Sequence, residues 1–169
     1  MDLSDVPALN QRLGLTGDRH LVPFSGIHVS MMRLDRWERG YLQHIPNYQA
    51  VLDGYAQIGH TYTGVANGKP VCSFGIISMW PGVAEMWMVP DMSLGHHRYT
   101  FHRATFRWIN IMVAELQLVR LQATVHTGND RADKWIRSLY FQKEGVLKAF
   151  GPEGADYSMY ARLFNGRNF

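Results

Sequence analysis

A chain of 169 residues, 46% apolar and 18% charged, is long enough to bury the core of one domain and too apolar to remain disordered. Its net charge of +3 is too small an excess to argue for nucleic acid, although arginines far outnumber lysines and suit contacts to phosphate or carboxylate. Cys72 is the single cysteine, which excludes an intrachain disulfide and a cysteine-rich metal site. The opening MDLSDVPALNQRLGL lacks the basic and apolar regions of a signal peptide, and no apolar run is long enough to cross a bilayer. The expectation is a cytoplasmic protein with no membrane partner.

In chain order, SDVPALNQRLGL reads as a short helix capped by Ser4, with Pro7 in its first turn and Gly14 at its end. TGDRHLVPFSG reads as a connector, and IHVSMMRL alternates as a strand would. DRWERGYLQHI and PNYQAVLDGYAQIG read as two helices, the second opened by Pro46 and Asn47 and closed by Gly59. HTYTGVA and KPVCSFGIISMW are two strands joined by Asn67 and Gly68, the strongest short-range hairpin signal. Pro81 and Gly82 turn the chain into VAEMWMVP, a third strand. From Arg98 to about Leu116, Phe101, Trp108, Ile109, Met112, Val113 and Leu116 fall at helical spacing. LVRLQATV follows as a strand, and NDRADKWIRSLYF as a helix with Asn129 as N-cap. EGVLKAF and ADYSMYARLF close the chain as a hairpin.

The expected architecture is a single α/β domain, a mixed β-sheet flanked by helices in the order β-α-α-β-β-β-α-β-α-β-β. Residues 27–169 form that domain, and residues 1–26 an N-terminal helix and arm that packs on it or docks on a partner subunit.

One stretch bears on function. MVPDMSLGHHRYTF carries a strand end into a helix start through Gly95, His96, His97 and Arg98. Amides at a helix start cradle phosphate, and a glycine lets the ligand approach closely. Two readings stand open: a phosphate site from Leu94 to Tyr99, or a plain strand-to-helix connection with solvated basic residues. His96, His97 and His102 have no second cluster of ligands, so no metal is expected. Cys72 reads as a buried small hydrophobe, and the methionines as core filling. Arg103 and Arg107, four apart on one helix face, read as a solvated face, the alternative being contact with a phosphate or a nucleic acid.

The order of elements from about Ile27 to Leu163 resembles the GNAT superfamily, the Gcn5-related N-acetyltransferases. Asn129, Ala132, the helix they open and Phe141 match a pattern common in that family, with Tyr140 standing where its glycine sits. The ending GVLKAFGPEGADYSMYARLF, with the compressed loop after VAEMWMVP, is similar to small GNAT-like proteins of tailed phages, akin to a minor internal virion protein. The resemblance implies acetyl-CoA as cofactor and an amine acceptor. It places the pantetheine arm against Met88 and Val89, between VAEMWMVP and LVRLQATV. The pyrophosphate falls at Leu94, Gly95, His96, His97, Arg98 and Tyr99, and Asn129 joins the coenzyme site. Of the family's loop pattern only Gly95 survives, with Met92 and His97 at the other two positions. Glu85 takes the place of the base. The family's tyrosine acid falls at Ile136, and Tyr140, one helical turn on, is the substitute. A non-catalytic virion component, partnered by other phage proteins or by copies of itself, is the alternative implied.

Overall fold

The computed structural model describes residues 5–164. Ser4 lies outside them, and Asp5 caps the first helix, α1 (Val6–Leu13), its carboxylate accepting from the Ala8 N–H at 3.0 Å. Gly14, in the left-handed region at φ 71°, ends the helix as expected. Val6, Leu9 and Leu13 are buried in the main core. The Asn10 side chain then ties α1 to β1 (Arg19–Pro23), accepting from the Leu21 N–H at 2.6 Å and donating to the Leu21 carbonyl at 2.9 Å. Residues expected to form an arm therefore supply a core helix and a strand of the sheet.

Two early expectations are corrected. The segment read as a connector contains β1, which pairs antiparallel with β2 (His60–Ala66). The segment read as a strand is α2 (Gly26–Ser30). Val29 and Met32 are buried while Ile27 and Met31 are exposed, a three-residue spacing that suits a helix and not a strand. The Ser25 N–H donates to His28 Nδ1, which lies 2.9 Å from Thr63 Oγ1, fixing α2 against the sheet.

The remaining elements follow in the expected order: α3 (Arg36–Leu42), α4 (Tyr48–Ile58), β3 (Lys69–Trp80), β4 (Val83–Pro90), α5 (Arg98–Glu115), β5 (Arg120–His126), α6 (Asp130–Ser138), which stops three residues short of Phe141, β6 (Gln142–Leu147), which starts and ends earlier than EGVLKAF, and β7 (Tyr157–Leu163). Asn67 and Gly68 both have positive φ, the two-residue turn that matches strand twist. Among the described residues, seven strands lie in the order β1-β2-β3-β4-β5-β7-β6. All neighbours are antiparallel except β4 and β5, which run parallel at the centre.

Each face of the sheet carries its own core. On one face Leu9, Ile76, Trp108, Ile109, Met112 and Leu121 are fully buried under α1, α5 and α6. On the other, Phe24, Val29, Leu42, Leu52 and Val89 pack under α2, α3 and α4. Side chains alternate along β4, so Ala84 and Met86 enter the first core while Trp87 and Val89 join the second. Arg103 and Arg107 lie on the exposed face of α5, as read, and the Arg107 guanidinium also donates to the Leu13 carbonyl at 3.0 Å, closing the end of α1. Cys72 is buried, and burial pushes its thiol up to about 12.

Candidate active site

β4 and β5 pair over three residues only, Val83 to Glu85 against Arg120 to Gln122. β4 runs on to Pro90 and β5 to His126, leaving the facing edges of both without a ladder partner. An unpaired strand edge inside a fold is a template for an extended ligand carrying amides. A cavity of about 630 Å³ occupies this gap. Its lining draws on both faces of the sheet: Met86, Met88, Leu94, Phe101 and Ile136 from one side, Trp87, Leu52, Tyr55 and Tyr41 from the other. The cavity thus passes through the sheet at its one parallel junction.

On the side of α3 and α4 the wall is aromatic and acidic. Asp35 caps α3, accepting from the Trp37 N–H at 2.9 Å and the Glu38 N–H at 3.3 Å. Arg131, near the start of α6, reaches across to Asp35 Oδ2 at 2.6 Å and joins the two helix starts. Glu38 hydrogen bonds to Asp35, yet its Oε2 is buried without a partner. Burial, then the hydrogen bond and negative charge of Asp35, push the Glu38 carboxyl up to about 8. Burial also pushes Asp35 up, but the hydrogen bonds from Glu38 and from the backbone of Trp37 and Glu38, with the Arg131 charge, hold it below the usual range.

Aromatic rings close around Glu38. Trp37 lies under the Arg36 guanidinium and 4.3 Å from the His126 ring. A Cβ at Gly128 would stand 2.8 Å from Trp37 Cη2, so glycine permits that packing. Tyr157 packs on His126 at 5.3 Å and on Tyr41 at 6.4 Å. Burial first, then Tyr41 and Glu38, push the Tyr157 hydroxyl up; burial first, then Tyr55 and Glu85, do the same to Tyr41. Glu85, also on this wall, accepts from Gln122 Nε2 at 3.5 Å.

On the other side lies the loop after β4. It is wound as a 3-10 helix, Met92–His97, that runs directly into α5. Asp91, buried, clamps it: its carboxylate accepts from the Ser93 N–H at 2.7 Å and from the Arg33 N–H. The Met92 N–H donates to the Arg33 carbonyl and the Leu94 N–H to the Asp91 carbonyl. These three amides are therefore spent within the protein. Gly95 lines the cavity, and neither a positive φ nor any atom within 4 Å of an added Cβ demands glycine there.

Of the residues placed at the site by sequence, Glu85, Met88, Val89, Leu94, Gly95, Arg98 and Asn129 line the cavity. Asn129 does so as the N-cap of α6, its side chain accepting from the Ala132 N–H at 3.1 Å. His96, His97 and Tyr99 are not part of the lining. His97 turns its ring onto Phe101, and Tyr99, 78% exposed, lies beside the Arg98 guanidinium. Tyr140 stands outside the cavity as well. The helix ends at Ser138, and Tyr140 adopts φ 67°, the left-handed geometry suited to the glycine it replaces. Its ring is 69% exposed between Phe106 and the Arg162 guanidinium, so it is not placed to donate a proton into the gap.

The sequence reading missed Asp35, Glu38, Arg131, Tyr41, Tyr55, His126 and Tyr157. The available signal was Asp35 followed three residues later by Glu38, which has the spacing of an ordinary capping box. Nothing in that spacing reveals that α3 turns Glu38 inward. Among the described residues no group of histidine, cysteine and carboxylates could hold a metal ion, and no helix is long and apolar enough to cross a membrane.

A helix-flanked seven-stranded sheet, splayed at its one parallel pair, is the fold of the GNAT acetyltransferases. Among solved structures, a GNAT-family acetyltransferase from Bacillus anthracis superposes with a TM-score of 0.65 at 14% identity, covering 87% of this chain and 95% of that one. An acetyltransferase from Salmonella typhimurium that modifies the N-terminal serine of ribosomal protein L7/L12 gives 0.69 at 14% identity, covering 89% and 97%. RimL, a ribosomal L7/L12 alpha-N-protein acetyltransferase in complex with coenzyme A, gives 0.62 at 16% identity, covering 98% and 92%. No protein-family model matches the sequence, and a search of curated proteins finds no match.

Proposed function

We propose that the protein is an N-acetyltransferase that moves an acetyl group from acetyl-CoA to an amine. The observation that carries this reading is the gap between β4 and β5, a cavity through the sheet with an unpaired strand edge along it. The residues fit the coenzyme. The edge from Met86 to Pro90 offers N–H and C=O groups to the two amides of pantetheine, and Met88 and Val89 flank the arm. Gly95 keeps the approach open, and Arg98 and the start of α5 favour negative charge at that end. Coenzyme A supplies the acetyl group as an activated thioester. The acceptor enters from the opposite face, where the Glu38 and Glu85 carboxyl groups line the cavity and offer oxygen acceptors to an amine. The solved proteins of this fold that act on amines lend support.

A second reading, a non-catalytic GNAT-fold protein with a structural role in a phage virion, is favoured by one observation. The amides of Met92, Ser93 and Leu94 are already bonded within the protein and offer nothing to a pyrophosphate. Calorimetric titration with acetyl-CoA decides between the two. Saturable binding, with a rise in thermal stability, is the expected result; no binding at millimolar coenzyme overturns the enzyme reading.

A further inference from the structure

Resting on that reading, the structure also assigns the acceptor end. Two carboxyls stand on its wall, and they differ. Glu85 accepts a side-chain hydrogen bond from Gln122. Glu38 bonds to Asp35 and leaves Oε2 buried, unpartnered and part of a residue that lines the cavity. A buried polar atom with no partner costs free energy, so its persistence points to a ligand atom that satisfies it. The rings of Trp37, Tyr41, Tyr55, Trp87, His126 and Tyr157 line the same end, and rings of this kind hold flat apolar bodies and cations.

We propose that Glu38 is the catalytic base of the acetyl transfer, and that its acceptor is a primary amine carried on a flat apolar body seated among these rings. The nitrogen bonds to the thioester carbonyl carbon, the C–S bond breaks with its electron pair leaving on sulfur, and the proton shed by nitrogen passes to the Glu38 carboxylate. Asp35 and Arg131 are positioning residues: Asp35 orients Glu38 and raises its basicity, while Arg131 pairs with Asp35 and fixes its place between the two helix starts. A base that titrates near the working pH is the efficient kind, and a carboxyl raised to about 8 meets that condition. Besides Asp35 and Arg131, the titratable and charged groups that line this end of the cavity are Tyr41 on α3, Tyr48 and Tyr55 on α4, Glu85 on β4, His126 on β5 and Tyr157 on β7.

The test uses the full chain and three variants, Glu38→Gln, Glu85→Gln and Asp35→Asn. Acetyl-CoA affinity is measured first by calorimetry, and transfer to 2-phenylethylamine and to 4-methoxyaniline is then followed by release of free thiol. The nitrogen of 4-methoxyaniline is already neutral near and above neutral pH, so a basic limb in its profile belongs to the protein. The wild type shows that limb in kcat/KM near pH 8. Glu38→Gln binds acetyl-CoA as the wild type does, loses the limb, and falls about 10²- to 10⁴-fold in kcat. Glu85→Gln keeps the limb, and Asp35→Asn moves it to lower pH. A Glu38→Gln enzyme with the wild-type rate and profile overturns the assignment, as does a protein that binds acetyl-CoA and acetylates neither amine. Absence of acetyl-CoA binding overturns the acetyltransferase reading itself, and this assignment with it.

Discussion

The Glu38 carboxyl makes a prediction about stability that needs no substrate. In the unfolded chain it ionises at its ordinary value of 4.5, and in the folded protein at about 8. Between those values the folded protein keeps a proton that the unfolded chain releases, so stability contributed by this group is full below pH 4.5 and falls as pH rises towards 8. Each pH unit in that window corresponds to about 1.36 kcal/mol for a fully shielded group. By pH 7 the loss reaches about 3 kcal/mol at most, and about 1.5 kcal/mol once water at the cavity mouth is allowed for. Glu38→Gln keeps shape and a donor to Asp35 but has no proton to lose. Urea unfolding of wild type and variant at matched pH isolates the group, because the other titrations are common to both. The Gln variant is expected to match the wild type near pH 4.5 and to be more stable by about 1.5 kcal/mol at pH 7, a rise of roughly 3 to 6 °C in Tm. A variant of equal or lower stability at pH 7, with an unchanged m value, refutes the reasoning.

Three further outcomes follow from buried contacts. Asp91→Ala removes the buried clamp on Ser93 and Arg33 and should cost about 1 to 3 kcal/mol in chemical denaturation, whereas a neutral effect would show that the 3-10 segment holds itself. Leu9→Ala, at a side chain with no exposure, should cost about 2 to 5 kcal/mol, and a loss under about 1 kcal/mol would separate α1 from the main core. Cys72 should resist thiol reagents in the folded protein and react only on unfolding, because it is buried and its thiolate is disfavoured; prompt labelling of native protein would contradict that.

Much of the fold was legible because its signals are local. Asn67 and Gly68 announce their own hairpin, and α5 shows its apolar stripe over five turns. β1 was not legible: it is a short edge strand in which only Leu21 is fully buried, so alternation has almost nothing to register. IHVSMMRL misled because Ile27, Val29 and Met31 alternate in sequence, whereas the burial that decides the matter falls on Val29 and Met32. Gly95, Met88, Val89, Glu85 and Asn129 were legible as neighbours of one gap through their position relative to the central strands, and all five line the cavity. Tyr140 was not, since a four-residue step from Ile136 assumes a helix that has already ended. Glu38 was hidden for a different reason: its environment is made by α3, β5, α6 and β7 together, and no stretch of sequence contains that meeting.

The central claim is that an amide-bearing ligand completes the sheet between β4 and β5. Amide hydrogen exchange along residues 86–90 and 123–126, with and without acetyl-CoA, tests it most directly. The account predicts that acetyl-CoA slows exchange in both stretches while the β2 and β3 hairpin is unchanged. Equal exchange with and without millimolar acetyl-CoA, or protection confined to other elements, would contradict it.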